Sequence, residues 1–175
     1  MKATGIVRRI DDLGRIVIPK EIRRTLRIRE RDALEIFTDR DGEVILKKYS
    51  PIADLEDFAQ EYAESLFEST QHPCFITDRD VFIAVAGVGK KAYMNKPIPD
   101  DLSEVLEERR VFTSEEAGRH LAIPGFETAH QVAVPIIHEG DVAGSVVLVS
   151  KDRALGNVEI TLGQTAADFL AKQLG

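Results

Sequence analysis

Apolar and polar positions change rhythm several times along the 175-residue chain. Residues 4–10 (TGIVRRI) and 15–18 (RIVI) are β-branched runs on either side of the polar stretch DDLG, which predicts a hairpin. Pro19 fits the first turn of a helix, where its missing N–H costs nothing. KEIRRTLRI then sets Ile22 and Leu26 four apart on one face, with Arg23, Arg24 and Arg27 on the others. ALEIFTD (33–39) and EVILKKY (43–49) are two more strands, turned by Asp41-Gly42. The first fifty residues therefore read ββαββ. A piece of that size with one short helix buries too little surface to be comfortably stable alone. Dimerisation, with hairpins interleaved between chains, is the expected remedy.

After SPIADLEDF the period lengthens. Ile52, Leu55, Phe58, Ala59, Tyr62, Ala63, Leu66 and Phe67 follow in helical steps, so 52–70 is expected to form a linking helix of about five turns. The alternation beyond it predicts short strands at 74–78 and 81–87 and a helix over much of GKKAYMNK. A helix at 100–110, an edge strand in VFTS, long apolar strands at 131–137 and 142–150, and a closing helix at 157–174 complete the pattern. The expected domains are 1–50 and 51–175. The stripes on the linking and closing helices suit either core packing or pairing with a second copy.

Composition changes this picture through the placement of charge. Residues 1–50 carry thirteen Lys and Arg against nine Asp and Glu, a balance of +4. The rest carries ten against twenty-one, or −11, within a total of −7. Only the amino-terminal part therefore suits a polyanion. The competing reading of its arginines is a solvated face making surface ion pairs of little worth. No signal-peptide pattern and no bilayer-length apolar run occurs in the sequence, so a cytoplasmic protein is expected. Cys74 is the single cysteine, which excludes a CxxC pair, and it reads as a buried small hydrophobe. His72, His120, His130 and His138 lack metal-ligand spacing and read as surface or loop residues. VAGVGKK misses the phosphate-loop spacing and reads as a strand-end turn. No catalytic constellation stands out, and neither an enzyme nor a metal site is expected. A helix-turn-helix and a zinc finger are also excluded, so recognition through phosphates and groove shape is expected.

The segment MKATGIVRRIDDLGRIVIPKEIRRTLRI, with ALEIF and ILKKY, closely resembles the amino-terminal domain of AbrB-type transition-state regulators. The chain as a whole resembles the stage V sporulation branch of that family. The resemblance implies an α+β protein: an AbrB-like swapped-hairpin β-barrel dimer over 1–50, then a GAF-like α/β domain with flanking helices over 51–175. It implies double-stranded promoter DNA as partner, with Arg8, Arg15, Arg23 and Arg24 at the DNA-contact positions and Lys2 and Arg9 as auxiliary contacts. It implies a nucleoid-associated regulator of sporulation genes in the forespore, activating some and repressing others, and a homotetramer if the GAF helices also pair. In GAF folds a loop like HLAIPGFETAH (120–130) often lids a small-molecule pocket. Ile123 and Phe126 are thus candidates to line one, against the reading of a plain connecting loop; the ligand is not specified. GAF domains that reduce methionine sulfoxide need more than one cysteine. Two other readings stand beside this one: an antitoxin built on a related swapped-hairpin fold, and a nonspecific architectural DNA-coating protein.

Overall fold

The computed structural model describes residues 3–175. The chain divides into two compact units, one ending at Tyr49 and the other spanning Ser50–Gly175.

The amino-terminal unit contains α1 (Lys20–Thr25), β1 (Leu34–Thr38) and β2 (Val44–Lys48). β1 and β2 pair antiparallel from Leu34 opposite Lys48 to Thr38 opposite Val44. The Asp39 carboxylate closes their turn by accepting from the Asp41 and Glu43 N–H groups at 3.0 and 2.9 Å. The expected hairpin of 4–10 with 15–18 forms no ladder within the chain. Its turn is made, with Asp11 N–H donating to the Arg15 carbonyl at 3.0 Å and Gly14 in the left-handed region at φ +76°. The flanking runs stay unpaired because a lone short hairpin has too little to bury. Val7, Ile10, Ile16 and Val17 are all exposed. Among the described residues of this unit only Pro19 is buried.

The second unit begins with a 3-10 turn at Pro51–Leu55, then α2 (Glu56–Thr70), so the linking helix is a turn plus a helix. Next come β3 (Cys74–Thr77), β4 (Phe82–Ala86), α3 (Asp100–Glu107), β5 (Phe112–Thr113) and α4 (Ser114–Ala117). β6 (His130–His138), β7 (Asp141–Ser150) and α5 (Asn157–Gln173) complete it. The sheet is antiparallel in the order β4-β3-β7-β6-β5. α2 and α5 pack on one face over Ile76, Val134, Ile136, Val146 and Leu148. The other face holds a second cluster, with Phe75, Phe82, Tyr93, Leu102, Ile123 and Phe126. Cover on both faces explains why the central strands read as unbroken apolar runs. Gly144 in β7 lies against the Thr77 backbone carbonyl, leaving no room for a Cβ.

GKKAYMNK is not a helix beyond a 3-10 turn at Lys90–Ala92. The chain there is bent to satisfy the outer edge of β4. Phe82 N–H donates to the Lys96 carbonyl at 3.1 Å, and Asn95 N–H donates to the Phe82 carbonyl at 2.9 Å. Further along that edge, the Gln60 amide of α2 accepts from Val85 N–H at 3.0 Å and donates to the Val85 carbonyl at 2.8 Å.

Candidate nucleic-acid interface

The arginines expected to meet DNA lie on three pieces of the amino-terminal unit, and all are exposed. Arg8 and Arg9 precede the 11–15 turn, Arg15 closes it, and Arg23 and Arg24 lie on α1. Lys2 falls outside the described residues.

Asp11 builds the turn that presents Arg15. Its Oδ1 accepts from Leu13 N–H at 3.0 Å and Arg15 N–H at 2.8 Å, and its Oδ2 accepts from Arg15 Nε at 2.8 Å. The Arg15 backbone N–H, then the Arg15 guanidinium, hold the Asp11 carboxyl below the ordinary carboxylate range. The acidic tip thus orients an arginine. A carboxylate four residues before an arginine was the legible sign of this pair.

Helix α1 is short, and none of its residues is buried. Pro19 stands at its amino-terminal cap, one position before the first helical residue. Arg23 Nε donates to the Ile18 carbonyl at 3.1 Å, tying the guanidinium back across the helix start. Arg24 projects from the same turn. Guanidinium groups fork onto phosphate oxygens in pairs of hydrogen bonds and stay charged at any relevant pH.

Ile123 and Phe126 in the second unit are core residues. Ile123 is fully buried, and the Phe126 ring packs edge-on to Phe75 at 5.9 Å between centroids. The loop that carries them is stitched down. Gln131, 1% exposed, accepts from Leu121 N–H at 2.6 Å and donates to the Leu121 and Phe126 carbonyls, both at 2.8 Å. Asp101 Oδ2 accepts from Ala122 N–H at 2.8 Å, and the Tyr93 hydroxyl donates to the Pro124 carbonyl at 2.5 Å. An open pocket of about 370 Å³ lies elsewhere, lined by residues that include Val105, Phe112, Glu116 and Arg119. Ile123 and Phe126 thus lie within the second apolar cluster, under a loop held by Gln131, Asp101 and Tyr93.

His72 is a loop residue, in the bend between α2 and β3, but not a surface one. It is buried, with Nε2 3.0 Å from an Arg153 guanidinium nitrogen and 3.5 Å from Glu159 Oε1. Burial alone would push the Glu159 carboxyl up. The Gly156 N–H, its own N–H, and the Arg153 and His72 charges outweigh that and hold it low. Burial pushes the Cys74 thiol up to about 12, leaving it protonated. Among the described residues, no three His, Cys, Asp or Glu side chains gather to hold a metal ion, and no helix is long and apolar enough to cross a membrane.

Known proteins match the chain in two parts. The family described as "Stage V sporulation protein T C-terminal, transcription factor" matches residues 54–175. The family "Antidote-toxin recognition MazE, bacterial antitoxin" matches residues 7–54. Stage V sporulation protein T of Bacillus subtilis (strain 168) is 56% identical over 176 aligned residues, 99% of each chain. Transition state regulatory protein AbrB of the same organism is 67% identical over 51 residues, covering 29% of this chain and 52% of that one. The GAF domain of an Acinetobacter phosphoenolpyruvate-protein phosphotransferase superposes with a TM-score of 0.58 at 14% identity, over 70% of this chain and 87% of that one. That likeness gives the second unit its fold, a GAF domain. An AbrB-like amino-terminal segment, a GAF fold and whole-length identity together place the chain in the stage V sporulation protein T family of transcription factors.

Proposed function

We propose that the chain regulates sporulation genes by gripping double-stranded promoter DNA with Arg8, Arg15, Arg23 and Arg24 from two intertwined copies, assisted by Lys2 and Arg9. The observation that carries this reading is the Asp11–Arg15 turn followed in the chain by a short exposed helix bearing Arg23 and Arg24. The Arg15 and Arg23 guanidinium groups are each held there by a hydrogen bond, on a unit of whose described residues only Pro19 is buried. Val7, Ile10, Ile16, Val17, Ile36 and Val44, all more than half exposed in the single chain, are the surface that a second copy covers. The protein works in the cytoplasm, on the nucleoid of the forespore. A homotetramer forms when the GAF units also pair, through the face where Phe58 stacks on Phe169 at 5.4 Å between ring centroids. The GAF unit then sets how two DNA-binding dimers are placed, in response to a signal.

The test is a binding titration on a promoter duplex at several salt concentrations, with oligomer mass measured alongside. A dimer that engages ~8 phosphates gives a slope of about −7 for log K against log salt. Replacing Arg8, Arg15, Arg23 and Arg24 by alanine together flattens that slope. Unchanged affinity from a folded quadruple variant overturns the reading.

The match of residues 7–54 to an antitoxin family favours one second reading, a DNA-binding autorepressor that neutralises a toxin. Co-purification with a small toxin supports it. The folded GAF unit is unlike the disordered acidic tail that such neutralisation uses.

A further inference from the structure

The connection from α1 to β1 holds two residues in a costly conformation. Arg27 and Arg31 lie in the left-handed region, at φ +53° and +70°, where a side chain is disfavoured. α1 ends in a Schellman-type closure: Ile28 N–H donates to the Arg23 carbonyl at 2.8 Å and Arg27 N–H to the Arg24 carbonyl at 3.4 Å. Glycine is the usual residue at the position Arg27 takes.

Two side chains hold this connection in place. Lys48, the last residue of β2, donates through Nζ to the Arg27 carbonyl at 2.9 Å and lies 3.8 Å from Asp32 Oδ2. The same Asp32 oxygen accepts from Arg29 N–H at 2.8 Å, with its side chain only 5% exposed. Beside them Tyr49 N–H donates to the Ala33 carbonyl at 2.9 Å. The carboxyl end of α1 is thereby fastened to the β1–β2 hairpin. Within the single chain, burial does not fix the direction of α1, because none of its residues is buried.

We propose that Lys48 and Asp32 are positioning residues for DNA binding. They set the direction in which α1 presents Arg23 and Arg24, without touching the duplex. This inference rests on the reading of α1 as a DNA-contacting helix.

The experiment uses the full chain and a promoter duplex, with affinity measured by fluorescence anisotropy across a salt series. Circular dichroism and native mass confirm folding and assembly. Lys48→Met is expected to weaken binding about fivefold or more and to flatten the salt slope toward that of Arg23→Ala/Arg24→Ala. Lys48→Arg, which keeps the donor, restores both. In the Arg23→Ala/Arg24→Ala background, Lys48→Met adds less than about twofold, because its effect runs through those two arginines. An equal effect in both backgrounds means that Lys48 meets phosphate directly, and overturns the inference. Wild-type affinity from folded Lys48→Met overturns it too. If Lys48→Met does not fold, Asp32→Asn supplies the same comparison, with the same outcomes for and against. Failure of the underlying reading shows separately: Arg23→Ala/Arg24→Ala itself then binds like the wild type, and both ideas fall.

Discussion

The loop over the second face of the GAF sheet takes three of its hydrogen bonds from one buried amide, and replacing Gln131 by methionine measures their worth. Methionine matches the length and volume of glutamine without its polar atoms. The substitution leaves Leu121 N–H, the Leu121 carbonyl and the Phe126 carbonyl without their partner. Each lost hydrogen bond costs ~0.5–1.5 kcal/mol net, and ~1–3 kcal/mol where the orphaned group stays buried. Three of them give about 3–5 kcal/mol, with the lower end expected because the loop can swing out to water. In a unit of this size ~1 kcal/mol moves the melting temperature by about 3 °C, so a fall of roughly 9 °C is expected. The assay is calorimetry of the full chain, following the transition of the GAF unit, with hydrogen exchange of the 121–129 amides beside it. The amides of Leu121 and its neighbours are expected to exchange by local opening, ahead of the sheet. Gln131→Glu is the companion. It keeps an acceptor for Leu121 N–H but turns a buried carboxylate toward two carbonyls. Its folded-state pKa is raised above the unfolded value, so the deficit is largest at neutral pH and shrinks as pH falls. A melting shift under about 2 °C for Gln131→Met, or a large shift with the Leu121 amide still protected, refutes the reasoning.

Gly144→Ala is expected to cost ~3 kcal/mol or more, or to prevent folding, because the added Cβ meets the Thr77 backbone rather than a movable side chain. Urea denaturation checks this, and a midpoint equal to wild type contradicts the β3–β7 register. The low pKa of Glu159 predicts an acid-sensitive contribution. Its ionised form stabilises the fold above the unfolded value near 4.5, and that stability is lost as pH falls through the lower folded value. Glu159→Gln is therefore less stable than wild type at pH 7, and the gap closes in melting curves taken below pH 4.5. Asp11→Ala removes a negative charge yet is expected to weaken DNA binding roughly 3- to 10-fold, because the turn that aims Arg15 loses three hydrogen bonds. Tighter binding in an anisotropy titration shows instead that Asp11 only repels the duplex.

Much of this architecture is legible in the chain because local pattern and burial agree. The helical steps from Phe58 to Phe67 mark α2, whose Ala59, Ala63 and Leu66 are buried. The apolar runs of β6 and β7 mark strands covered on both faces. Where the reading misses, the deciding partner lies outside the segment being read. GKKAYMNK bends to serve the edge of β4, a demand that its own residues do not announce. His72 is buried by Arg153 and Glu159, which come from the far end of the chain. Ile123 and Phe126 are apolar in a Pro-Gly loop, a composition equally consistent with lining a cavity or filling it. The bonds from Gln131, Asp101 and Tyr93 that hold this loop are not announced by that composition. In the arginine cluster the charge is plain in the sequence. The Lys48–Asp32 fastening of α1 is not, since it joins residues brought together by the β1–β2 pairing.

The Gln60 amide bonded both ways to Val85 has a consequence for crowding. It fills the slot through which a foreign strand would extend the sheet, using a side chain as a counterfeit backbone. A second copy is thus kept from adding a strand at this margin of the sheet, whatever the local density. Contacts between copies are left to surfaces that can let go again.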